Sequence, residues 1–132
     1  MYKEIEHTAD LAIEVSADSI ENIFSEAARG MFYIMYKEVK NLKNIKHDIN
    51  LDSFSNEYLL VDFLNELLYI NETREFVFSN LNIQIKKNSL NANVFGYDEK
   101  KEKKIAIKAA TYHNLEIVRK DNIYRTQITF DV

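Results

Sequence analysis

Residues 11–36 read LAIEVSADSIENIFSEAARGMFYIMY, and a change of period inside this stretch decides the fold class. Leu11, Ile13, Val15 and Ala17 are apolar, with Glu14 and Ser16 polar between them, the period of two of a half-buried strand. At Asp18 the pattern switches. Asp18 and Glu21 form a D-x-x-E box, which can satisfy the free backbone N–H groups at a helix start. Ile20, Ile23, Phe24, Ala27, Met31 and Met35 then share one stripe at helical spacing, which predicts a helix from about residue 19 to about residue 36.

Outward from that stretch, residues 37–45 are polar and rich in Lys and Asn, a surface loop, and a short strand follows near Ile45–Leu51. Ser53 or Ser55 can cap a second helix bearing Leu59, Leu60, Phe63, Leu64, Leu67 and Leu68. Its apolar face is wide, which predicts that it is the more buried helix of the two. From Phe76 the texture turns to strands. Phe78–Ile85 runs to a turn at Lys87-Asn88 and on to Leu90, Ala92 and Val94. A charged tip from Asp98 to Lys104 leads into Ile105, Ile107 and Ala109, and Asn114 marks a bend or bulge. Leu115–Arg119 and Ile123–Phe130 form a hairpin about Lys120-Asp121-Asn122. Helices early and hairpin-linked strands late predict an α+β fold, two helices packed on a largely antiparallel β-sheet, in a single domain over 1–132.

Composition narrows the function classes. The chain has no cysteine, which removes disulfides, thiolate catalysis and sulfur-ligated zinc. No basic segment followed by an apolar run opens the sequence, and no stretch approaches the roughly 20 apolar residues of a bilayer span, so the expected compartment is the cytoplasm, with no membrane partner. With 17 basic against 21 acidic side chains, a domain built to grip a nucleic-acid backbone is disfavoured.

The chemistry gathers near the two ends. On the last strand Arg125, Gln127, Thr129 and Asp131 share one face, opposite Tyr124, Thr126, Ile128 and Phe130. Val132 brings a terminal carboxylate beside Asp131. Asp10 falls in the register of Ala12, Glu14 and Ser16, the more polar face of its strand. If the strand from Leu11 pairs antiparallel with the last strand, Asp10 meets Asp131 and the terminus. Carboxylates so placed repel, and a cation removes the conflict. Hard oxygen donors without sulfur suit Ca²⁺ or Mg²⁺, and flexible terminal ligands suit calcium's looser geometry. The alternative is that Asp10 caps a turn and Asp131 is a solvated strand end.

Other features carry less. His7 and His113 could serve as a general base beside Asp10, or simply hydrogen-bond at strand ends. Gly30 and Gly96 are the only glycines, so no glycine-rich phosphate loop exists, and no Ser sits in a nucleophile motif; no catalytic residue is assigned. On the second helix Asp62, Asn65, Glu66 and Tyr69 form a polar stripe, a solvated face or a partner-docking one. Lys100, Lys101, Lys103 and Lys104 read as a solvated hairpin tip, or alternatively as an RNA phosphate contact.

Four ordered motifs then resemble the archease family from one end of the chain to the other. His7-Thr8-Ala9-Asp10 is similar to its HTAD segment, and Leu59 to Tyr69 to its long helix motif, with Phe63 where Trp is usual. Lys108-Ala109-Ala110-Thr111-Tyr112-His113 resembles its late strand, and Phe130-Asp131-Val132 its C-terminus. Leu11-Ala12 and Asn114 depart from the family's Ile-Gly and Gly; Asn tolerates a left-handed backbone, whereas Ala12 does not. The resemblance implies an accessory protein, not an enzyme, that activates a GTP-dependent RtcB-type RNA ligase in tRNA splicing and RNA repair. It implies promotion of ligase guanylylation and multiple turnover, with no stable nucleic-acid binding of its own. It also implies a divalent metal, taken as calcium, at positions matching Asp10, Asp131 and Val132. A chaperone-like RNA- or protein-binding module is the alternative function.

Overall fold

The structure is a computed structural model and describes residues 1–6 and 11–132. In chain order its elements are β1 (Tyr2–Glu6), β2 (Leu11–Ala17), α1 (Ile20–Tyr36), β3 (Ile45–Asp52), α2 (Asn56–Arg74), β4 (Phe76–Lys86), β5 (Ser89–Asp98), β6 (Ala109–Ala110), β7 (Val118–Lys120) and β8 (Ile123–Asp131). The α+β expectation holds, and among the described residues every strand pairing is antiparallel. The strands divide between two sheets. One runs β1-β2-β8-β6, with β7 also on β8; the other runs β3-β5-β4.

Both helices begin at serines. Ser19 caps α1, its Oγ accepting from the Asn22 amide at 3.1 Å, so the cap lies one residue beyond Asp18, whose carboxylate instead accepts from the Asn22 side chain. Ser55 caps α2 by accepting from the Tyr58 amide. The expectation that α2 is the more buried helix fails: 11 of the 17 residues of α1 are buried against 9 of 19 in α2. The cause is position, because α1 packs against β2 of one sheet and β4 of the other, and Phe24, Met31, Phe32 and Met35 on it are sealed from water.

Close approach explains both glycines. A Cβ on Gly30 would lie 2.9 Å from the Tyr2 ring and 3.2 Å from Ile13, so the bare backbone there lets β1 and β2 settle onto α1. A Cβ on Gly96 would come within 2.0 Å of the Val77 carbonyl, beside the bulge between Phe78 and Asn80.

The turn expected at Lys87-Asn88 is present, and the one expected over Lys120-Asp121-Asn122 narrows to Asp121-Asn122, with Lys120 ending β7; all four turn residues have positive φ, the pattern of a two-residue type I′ hairpin. The strands expected over Ile105–Ala109 and Leu115–Arg119 shrink to Ala109–Ala110 and Val118–Lys120. Their backbone donors are engaged elsewhere: the Lys104 and Ile105 amides bond the Met35 carbonyl at the end of α1, and the Ile117 amide bonds the Glu57 carboxylate. The Lys100–Lys104 segment is therefore not a free hairpin tip. Lys101 donates to the Glu38 carbonyl, and Lys103 pairs with Glu72 at 3.1 Å. Among the described residues, no helix is long and apolar enough to cross a membrane.

Candidate functional site

β2 and β8 are neighbours and antiparallel, with Leu11 opposite Phe130 and Ala17 opposite Tyr124. That is the pairing on which a shared cation between the two ends depends. Asp10 and His7 lie outside the described residues. Asp131 ends β8 with its side chain exposed, and Val132 beyond it is half exposed. On the far side of β8, Asp131 stands opposite Ala109, and its carbonyl accepts from the Lys108 amide at 2.8 Å. Among the described residues no group of three or more His, Asp or Glu side chains could hold a metal; Asp131 and Val132 supply hard oxygen of the type a divalent alkaline-earth ion takes.

The short strand β6 is held in place by α2. Ala110 is buried, and its amide and carbonyl point away from β8. The Asn65 side chain meets both: its Oδ1 accepts from the Ala110 amide at 2.8 Å, and its Nδ2 donates to the Ala110 carbonyl at 3.1 Å. One amide side chain thus stands in for a neighbouring strand.

Two further bonds continue this seam. Tyr112 donates its hydroxyl to Asp62 Oδ1, while Ser53 donates to Oδ2 at 3.3 Å. The Ile117 amide donates to Glu57 at 3.0 Å. Glu57, Asp62 and Asn65 along α2 therefore meet residues 117, 112 and 110 in reverse order. The polar stripe read as solvated or partner-facing is largely a seam to the chain's own late segment, and of its members Tyr69 is the one left well exposed. The role of Glu57 was not foreseen; a glutamate in a first helical turn carries no mark of its distant partner.

The Asp62 contact pushes the Tyr112 phenol up to about 12, chiefly through the hydrogen bond to that carboxylate, with burial and the negative charge of Asp62 adding to it. Asn114, the residue standing where the resembled family has Gly, adopts φ 51°, the left-handed conformation Asn tolerates. Ala12 lies fully buried in β2, paired with Ile5 and Thr129 in ordinary strand register. His113 is exposed, and its ring Nε2 meets the Asn114 side-chain Nδ2 at 3.2 Å. That is a local contact, with no carboxylate orienting the ring among the described residues.

The family model of the Archease protein family (MTH1598/TM1083) matches residues 2–132. The chain is 36% identical over 137 residues to the protein archease of Saccharolobus islandicus (strain Y.G.57.14), covering 99% of this chain and 98% of that protein. It is 32% identical over 139 residues to the protein archease of Pyrococcus furiosus, with the same coverage. Two solved structures share the fold. The solution structure of Methanobacterium thermoautotrophicum protein 1598 superposes with a TM-score of 0.78 at 26% identity, over 99% of this chain and 98% of that one. The crystal structure of an archease from Thermotoga maritima, described as a possible chaperone, gives a TM-score of 0.68 at 26% identity, over 100% and 98%.

Proposed function

Because the chain belongs to the archease family, we propose that it is a non-catalytic activator of a GTP-dependent RtcB-type RNA ligase in tRNA splicing and RNA repair, carrying a divalent cation, Ca²⁺, at Asp10, Asp131 and Val132. The observation that supports the site is the antiparallel pairing of β2 with β8, with Leu11 opposite Phe130 and Asp131 next along β8. The Asp131 and Val132 oxygens suit a hard cation, and the cation would supply fixed positive charge where the partner handles nucleotide phosphates. This chain's own residues hold that end in place: Asn65 secures Ala110, and β6 in turn secures the end of β8. Engagement of Lys101 and Lys103 within the chain disfavours the alternative of an RNA-binding tip.

The test measures ligase guanylylation and turnover with and without this protein, alongside calcium titration. Asp10→Ala should abolish stimulation, and Asp131→Asn should lower calcium affinity while leaving the fold intact. An unaltered calcium titration in Asp131→Asn would remove that residue from the site. Tight, steeply salt-dependent RNA binding by the protein alone would favour the chaperone-like alternative.

A further inference from the structure

We propose that the aromatic strip Phe54–Tyr58–Tyr112, with Asp62 beside it, is a docking surface for an arginine-bearing segment of a partner protein. The inference rests on the reading that the chain works through a protein partner, and it adds where and by what chemistry the two meet. Phe54 is 90% exposed, Tyr58 45% and Tyr112 48%, yet the rings are not scattered. Phe54 meets Tyr58 edge to face at 6.0 Å, and Tyr58 meets Tyr112 edge to face at 4.9 Å. A continuous aromatic surface left in water marks an interaction site, and aromatic residues are the commonest anchors of such sites.

The strip is also held ready. Ser55 caps the helix at the Tyr58 amide, the Asn88 side chain donates to the Phe54 carbonyl, and Tyr112 is fastened to Asp62. The first two bonds fix the backbone under Phe54 and Tyr58 and the third fixes the Tyr112 ring itself, so what a partner still orders on association is the Phe54 and Tyr58 side chains.

Charge selects the partner. The two Asp62 oxygens accept from Tyr112 and Ser53, which leaves about two of the roughly four acceptor sites of a carboxylate unused. No cation pairs with Asp62 among the described residues. Glu57 lies on the same seam, and Glu66 follows Asp62 by one helical turn. Lys87 borders the Phe54 end, through the turn that Asn88 ties to Phe54, but the Tyr112 end is acidic. A guanidinium can lie flat on a ring and still reach a carboxylate with its N–H groups, which a compact, strongly hydrated ammonium does poorly. RNA bases could stack on the same rings, but their phosphates would face these carboxylates, and phosphate neutralisation dominates nucleic-acid affinity.

The test uses the full chain and an RtcB-type ligase. Phe54→Ser with Tyr58→Ser changes two side chains outside the core, and an unchanged unfolding midpoint checks that the fold is kept. The double variant should raise the ligase dissociation constant by about tenfold or more, equivalent to about 1.4 kcal/mol, with calcium affinity unchanged. In a parallel nuclear magnetic resonance titration, a short arginine-rich peptide should shift the Tyr58 and Tyr112 ring signals, and its lysine counterpart should do so less. Ligase binding equally well to parent and double variant overturns the docking surface and leaves the activator reading standing. A parent protein that fails to bind the ligase overturns both. Ring signals moved by oligouridylate and not by the arginine peptide would assign the strip to RNA and overturn the proposal.

Discussion

Replacing Asn65 by alanine should show how much of the late segment depends on one side chain. The Asn65 amide makes two bonds to Ala110, at 2.8 and 3.1 Å, and Ala110 is 4% exposed. Truncation leaves a backbone donor and a backbone acceptor without their partner, at about 1–3 kcal/mol for each buried group. Asn65 is itself partly exposed, so water reaches part of the gap, and the expected total is about 2–4 kcal/mol. For a domain of this size that lowers the unfolding midpoint by roughly 10 °C. Asn65→Asp should recover none of this, since it keeps an acceptor for the Ala110 amide but sets a carboxylate oxygen against the Ala110 carbonyl. The assay is thermal unfolding by circular dichroism, joined to hydrogen exchange at Ala110, whose amide should pass from slow to fast. If the alanine variant stays within about 0.5 kcal/mol of the parent and the Ala110 amide remains slow, Asn65 is not what secures β6.

Two further expectations concern single contacts. Tyr112 should ionise near pH 12 against the usual 10, and Asp62→Ala should return it toward 10; ultraviolet titration of the chain's tyrosines reads this directly. The folded value lies above the unfolded one, so the contact contributes its stability fully below pH 10 and loses it as pH rises through 12. A titration curve identical in parent and variant refutes the assigned cause. Gly96 lies in β5, the central strand of the three-stranded sheet, and Gly96→Ala sets a methyl group 2.0 Å from the Val77 carbonyl of β4, so the backbone must move. A loss of about 1–3 kcal/mol or more in denaturant unfolding is expected, and a neutral result would mean that the bulge opens freely.

The parts of the fold legible in the sequence are those whose cause is local. The switch from alternation to helical spacing between Ala17 and Ile20 lies within the chain's own short range, and so do the Asn-bearing turns at Lys87-Asn88 and Asp121-Asn122. β1 carries no such mark, because Tyr2-Lys3-Glu4-Ile5-Glu6 does not alternate; part of what seats it is Tyr2 lying across Gly30, a contact between residues far apart in sequence. The division into two sheets was invisible for a similar reason. Nothing in the alternation of β5 says that its neighbours are β3 and β4 while β8 pairs with β2.

At the candidate site the pairing of β2 with β8 is a condition that only the structure supplies, but the apolar face of each strand was readable, and a slip by one residue would turn that face to water. The α2 seam was not, since a polar stripe reads the same whether it meets solvent or a backbone. The seam's geometry explains what alternation alone got wrong. From Glu57 to Asn65 the helix advances about 12 Å, whereas residues 110–117 fully extended would span about 23 Å. A strand cannot follow that face and still meet Asn65, Asp62 and Glu57 in turn, so the segment has to fold up between its anchors. It does so at Asn114, with φ 51° and the Leu115 amide returning to the Tyr112 carbonyl. Leu115–Ile117 is consequently not a strand, and Tyr112, just ahead of the turn and fastened to Asp62, stands beside Tyr58 with its ring half in water. The place of Tyr112 in the exposed strip is thus a consequence of fitting a longer segment to a shorter helix face.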